Sequence, residues 1–146
     1  MLSAVAVSCS AGGTAGWTKS DLIQPKDLAA ILSSPGGVQP VLLHVGFRTL
    51  FRSHHIPHSV YAGPSSKQEG RDLLKSVVAS LPKDREIVVY CGCCPWSHCP
   101  NVKPAVDFLH GLGYQHVKAL MIETNLSQEW VRAGYPIESG QDSPQR

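Results

Sequence analysis

The order of apolar segments predicts an α/β fold: one domain, with a central parallel sheet of about five short strands and helices on both faces. Two observations carry this. Residues 41–45, 87–90 and 117–122 are short, nearly continuous apolar runs rich in β-branched side chains, as expected of strands buried on both faces. Between them lie segments whose apolar residues recur at helical spacing, and that alternation builds a covered parallel sheet. A chain of 146 residues can bury one good core but not two.

Each element has its own signal. Pro25 suits the first turn of a helix, Leu28, Ile31 and Leu32 fall on one face of it, and Ser33-Ser-Pro-Gly-Gly37 stops it. Residues 41–45 form a strand interrupted by His44, whose place near the strand end suits a site rim or capped loop as well as a core. Residues 46–64 hold three histidines, two prolines and two glycines and read as loop, with a brief strand at 59–62. Leu73, Leu74, Val77, Val78 and Leu81 mark a helix over 70–81 whose stripe is core packing. After a turn at 82–85, the strand 87–90 runs into a cysteine-rich loop. Asn101 is placed to cap the next helix, which turns Val102, Val106, Leu109 and Leu112 inward and ends at Gly113. Residues 117–122 form the last strand, and 126–131 a short helix with Trp130 inward. The domain is expected over 21–138, after a loose N-terminus at 1–20 and before a flexible tail at 139–146.

Thirteen basic and eleven acidic residues leave a net charge of +2 with no dense basic stripe, which argues against a nucleic-acid partner. No apolar stretch approaches the ~20 residues of a membrane helix. The segment Ala4-Val-Ala-Val-Ser-Cys9 looks like the end of a secretion or lipoprotein signal, but it has no basic leader and too short an apolar core. The compartment therefore stays open between exported or periplasmic and cytoplasmic.

Four of the five cysteines lie in Cys91-Gly-Cys-Cys-Pro-Trp-Ser-His-Cys99-Pro-Asn101. Cys91 falls at a strand's carboxyl end, the rim where open α/β sheets bind ligands. The following helix N-terminus is expected to favour an anion and to push Cys91 toward thiolate. The opposite reading of Cys91 is a small buried hydrophobe.

Three landmarks in order resemble the rhodanese family over roughly residues 22–138. They are Val41-Leu-Leu-His-Val45 with Phe51-Arg-Ser-His-His-Ile-Pro57, then Ile87-Val-Val-Tyr-Cys91, and last Leu112-Gly-Tyr-Gln-His-Val117 leading to Trp130-Val-Arg-Ala-Gly-Tyr-Pro136. The chain also departs from the family pattern. His44 stands in place of the usual Asp, Gly46 in place of its paired Arg, and His54 and His58 in place of glycines. Nine residues separate Cys91 from Asn101, where the family has a ring of about six closed by an Arg that is missing here.

The resemblance implies a sulfurtransferase. Cys91 would take a sulfane sulfur from a small anionic donor such as thiosulfate, hold it as a persulfide and pass it to a thiol or cyanide-like acceptor, with no cofactor. Gly92, Cys93, Cys94, Pro95, Trp96, Ser97 and His98 would form the anion- and persulfide-binding loop, with His98 and Lys103 as auxiliary charges and Trp96 as a hydrophobic anchor. Cys93, Cys94 and Cys99 have three readings: redox or relay thiols, a soft-metal site with Cys91 or His98, or a disulfide from Cys94 or Cys93 to Cys99. Adjacent cysteines fit a tetrahedral ion poorly, so a redox pair without metal is expected. The alternatives are a thiol redox or soft-metal-binding protein on the same scaffold, and a non-catalytic binding module. Thioredoxin spacing and the arginine clamp of a phosphatase are both absent.

Overall fold

The computed structural model describes residues 16–140. Five strands, β1 (Leu22–Ile23), β2 (Val41–His44), β3 (Val60–Tyr61), β4 (Ile87–Tyr90) and β5 (Val117–Leu120), form one sheet in the order β1-β5-β4-β2-β3. Every pairing in it is parallel. Four α-helices accompany the strands: α1 (Pro25–Ser33), α2 (Arg48–Ser53), α3 (Gln68–Val78) and α4 (Val102–Gly111). A single π-helical turn, Ser127–Val131, follows β5.

β4 is the middle strand and all four of its residues are buried, so its sequence is continuously apolar instead of alternating. The two-residue period of the strand sends Ile87 and Val89 to one face, where they meet Leu74 and Val78 of α3 and Val106 and Leu109 of α4. Val88 and Tyr90 face the other way, toward Leu28 of α1 and the fully buried Trp130. Helices therefore cover both faces, as the alternation of segments predicts. Cys91 continues the parity of Val89 and points to the α4 side.

Three local details add to or qualify these expectations. Residues 46–64 are mostly loop with the brief strand β3, as expected, but α2 also lies within them, held by Phe51, which is fully buried and stacked on the His55 ring at 3.8 Å. Asn101 stands at the N-cap position of α4, but its side-chain oxygen accepts the Ser66 N–H at 3.0 Å and makes no capping bond. The described residues also include some before residue 21. Trp17 packs edge-on against Trp96 at 5.3 Å, and Thr18 and Asp21 bond each other around the 3-10 turn Lys19–Asp21. At the other end, Gly140 N–H donates to the Arg52 carbonyl. The signal-like segment, Cys9 and the last six residues of the expected tail lie outside the described residues. Among the described residues no helix is long and apolar enough to cross a membrane.

Candidate functional site

The pairing register builds the site. His44 on β2 lies level with Tyr90 on β4, and the Val45 N–H continues the ladder to the Tyr90 carbonyl at 2.9 Å. The next residues, Gly46 and Cys91, are therefore side by side. A Cβ on residue 46 would sit 2.7 Å from the Cys91 sulfur and 3.0 Å from the His44 ring, so only glycine lets the backbone pass this close. The same contact explains why no arginine stands there.

Cys91 forms part of a cleft of about 290 Å³ at the carboxyl ends of the strands. His44, His54, Asn125, Ser127 and Gln128 supply its polar wall, and no Lys or Arg among the described residues lines it. Gly92 turns the chain away from β4 with φ +82°, a left-handed conformation that suits glycine, and its carbonyl accepts the Leu126 N–H at 3.0 Å. The loop is pinned a second time at Trp96. Its backbone N–H donates to the Ile122 carbonyl at 2.8 Å, its indole N–H points to Glu123 at 3.3 Å, and the ring is buried beside Trp17. After one 3-10 turn, Trp96–His98, the chain reaches Cys99, which is buried, and then α4.

This path brings three sulfurs together. Cys91 and Cys93 lie 3.1 Å apart, and the sulfurs of Cys91, Cys93 and Cys99 are all within 4.8 Å of one another. Cys94 touches Cys93 at 3.3 Å, and the Asn101 side-chain N–H faces the Cys91 sulfur from 4.0 Å. All four loop cysteines are free thiols, so neither suggested disulfide is formed in this structure.

The expectation that the helix N-terminus favours a Cys91 thiolate is corrected. That position belongs to Cys99, whose pKa falls to about 6 because the Cys91 thiol donates to it and the backbone N–H groups of Asn101 and Val102 stabilise its charge. Cys91 is driven strongly upward by the same hydrogen bond to Cys99 and then by burial. The two sulfurs titrate as a pair, the first proton leaving it more easily than the second. Burial, and then Cys93, raise Cys94 to about 12. His44 is only 1% exposed and lies among Phe51, Tyr61 and Tyr90. Burial, with His55 nearby, lowers its pKa to about 4, and as a neutral ring it can accept the Gly46 N–H at 3.3 Å.

The auxiliary charges expected from the sequence are not at the cleft. The His98 ring contacts the Ser97 hydroxyl at 3.0 Å, and Lys103 pairs with Asp107 beside the Trp17 ring. Neither lines the cavity, and nor do Cys94, Pro95, Trp96 or Ser97. Of the seven residues expected to form the binding loop, Gly92 and Cys93 reach the cavity, and the rest brace or surround it. In place of His98 the fold supplies His54, whose ring reaches the Ser127 hydroxyl at 3.3 Å, and the segment 125–128. The only advance signal for His54 was its substitution for a glycine in the resembling loop.

No protein-family model matches the chain, and no curated protein is significantly similar to it. Solved structures are similar in fold. Alr3790 from Anabaena sp. is 24% identical with a TM-score of 0.62, over 81% of this chain and 92% of that one. The solution structure of the rhodanese-like domain of Alr3790 is 22% identical, TM-score 0.60, over 86% of each chain. A thiosulfate sulfurtransferase from Pseudomonas aeruginosa is 26% identical, TM-score 0.60, over 84% of this chain and 20% of that protein. The fold is thus the rhodanese-like α/β fold.

Proposed function

We propose that the chain is a sulfurtransferase that carries a sulfane sulfur on Cys91. The observation that supports this best is Cys91 at the end of the central strand, its sulfur within 4.8 Å of those of Cys93 and Cys99 and lining a small polar cleft. As a thiosulfate-like anion enters, the Cys91 proton passes to Cys99. The Cys91 sulfur then attacks the outer sulfur of the donor, the donor's S–S bond breaks, and sulfite leaves with the bonding pair. The product is a Cys91 persulfide, which a thiol or cyanide-like acceptor removes by attack on its terminal sulfur. With no Lys or Arg among the described residues on the cleft wall, the anion is held by His54, Ser127, Gln128 and Asn125. The likeness to part of a thiosulfate sulfurtransferase adds support at the level of fold.

One observation favours a second reading, thiol redox chemistry: the Cys91 and Cys93 sulfurs are 3.1 Å apart, close enough to form a bond after a small shift. Intact mass after incubation with thiosulfate separates the two. Sulfur transfer adds one sulfur atom to the wild-type chain and none to Cys91→Ser, and Cys91→Ser forms no thiocyanate from cyanide. Persulfide on Cys91→Ser, or wild-type protein that only loses two hydrogens, defeats the proposal.

A further inference from the structure

We propose that Cys91, Cys93 and Cys99 form a three-sulfur site for a soft monovalent metal ion, copper(I). The sequence argues against metal because Cys93 and Cys94 are adjacent and no second spaced pair completes a tetrahedron. The fold removes that objection by selecting Cys93 and leaving Cys94 out. Residues separated by one and by five positions converge, with all three sulfurs within 4.8 Å of one another and two of them already at 3.1 Å. A trigonal thiolate ion with bonds of about 2.3 Å holds its sulfurs about 4 Å apart, so modest side-chain rotation completes the site.

The donor set selects the ion. Among the described residues this is the group of His, Cys, Asp or Glu side chains placed to hold a metal, and it contains sulfur alone. A structural zinc ion takes four ligands. Cys94 lies beside Cys93 and interacts with Cys99, but it stands outside the group whose three sulfurs all converge, and the His98 ring is turned to Ser97. Three converging soft thiolates, with no fourth residue in the group among the described residues, suit copper(I). The exposed Cys93 provides a route from solvent to the buried Cys91 and Cys99. On binding, the protons still held on these sulfurs pass to solvent as three copper–sulfur bonds form, and no electron is transferred. An occupied site withholds Cys91 from sulfur chemistry, although the inference does not depend on that chemistry.

The test uses the full, reduced chain without oxygen and without any sulfur donor, titrated with copper(I) against the chromogenic chelator bicinchoninate. One equivalent should be retained, X-ray absorption should show three sulfur neighbours, and Cys93→Ser should weaken binding by about 100-fold. Cys94→Ser should stay within about threefold of wild type. Because Cys93 and Cys94 are on the open side of the loop, circular dichroism of both variants serves as the folding control. Failure to retain copper, unchanged affinity in Cys93→Ser, a nitrogen neighbour, or zinc held in preference to copper overturns the assignment. Since no donor is present, none of these results depends on whether Cys91 forms a persulfide.

Discussion

At the residue scale the chemistry turns on where one proton sits. Cys99 stands just before α4, where its pKa is lowered, whereas Cys91 at the end of β4 has its pKa raised. This arrangement differs from a lone thiolate because a buried nucleophile is kept neutral until a donor displaces the equilibrium. The reactive form is the pair with one proton lost, so its population rises as pH increases through about 6. Sulfur loading should therefore be half-maximal near pH 6 and level at neutral pH. In Cys99→Ser the acceptor is gone and Cys91 remains buried, so the rising limb should move above the ordinary thiol value of about 8.5 and loading at pH 7 should fall by about tenfold or more. Stopped-flow loading with thiosulfate across pH 5 to 10 reads this directly. A limb that stays near pH 6 in Cys99→Ser would assign the proton to another group.

At the element scale, the cysteine loop has to hold its shape without regular structure. It is fastened at Gly92 to Leu126 and at Trp96 to Ile122 and Trp17, so the segments before β1 and after β5 act as its supports. Removing the buried indole in Trp96→Ala should cost about 3 kcal/mol through lost burial and the cavity left behind. Trp17→Ala removes an edge contact on a half-buried ring and should cost about 1 kcal/mol. Urea denaturation of the two variants checks the ordering, and equal losses would show that Trp17 does more than brace Trp96. α2 shows why elements of this size escape sequence patterns. Its six residues are too few for a periodic stripe, and it exists because a single side chain, Phe51, is buried among His44, His55 and Tyr61.

At the scale of the whole molecule, His44 couples the fold to pH. The unfolded chain takes up a proton on this ring as pH falls through about 6.5, whereas the folded chain does so only near 4, because the ring is buried among aromatic side chains. Stability is therefore fully present above pH 6.5 and declines as pH falls from there to 4, by up to about 3 kcal/mol. Urea midpoints at pH 7 and pH 4.5 should show this decline, and His44→Gln should flatten it while still offering an acceptor to Gly46. An unchanged slope in that variant would place the titration elsewhere. The sheet, its central strand, the helices on both faces and Cys91 at the strand's carboxyl end were all readable from the chain, since they follow from local periodicity and from burial on two faces. So was the buried Trp130. The tertiary structure alone decided which cysteine meets the helix N-terminus, that Gly46 must let the chain pass Cys91, that His54 and residues 125–128 wall the cleft where His98 and Lys103 were expected, and that Cys93 rather than Cys94 joins the sulfur triad. These are contacts between strand ends and loops distant in sequence, set by pairing register and by where a nine-residue loop is fastened, and no local pattern of side chains encodes them.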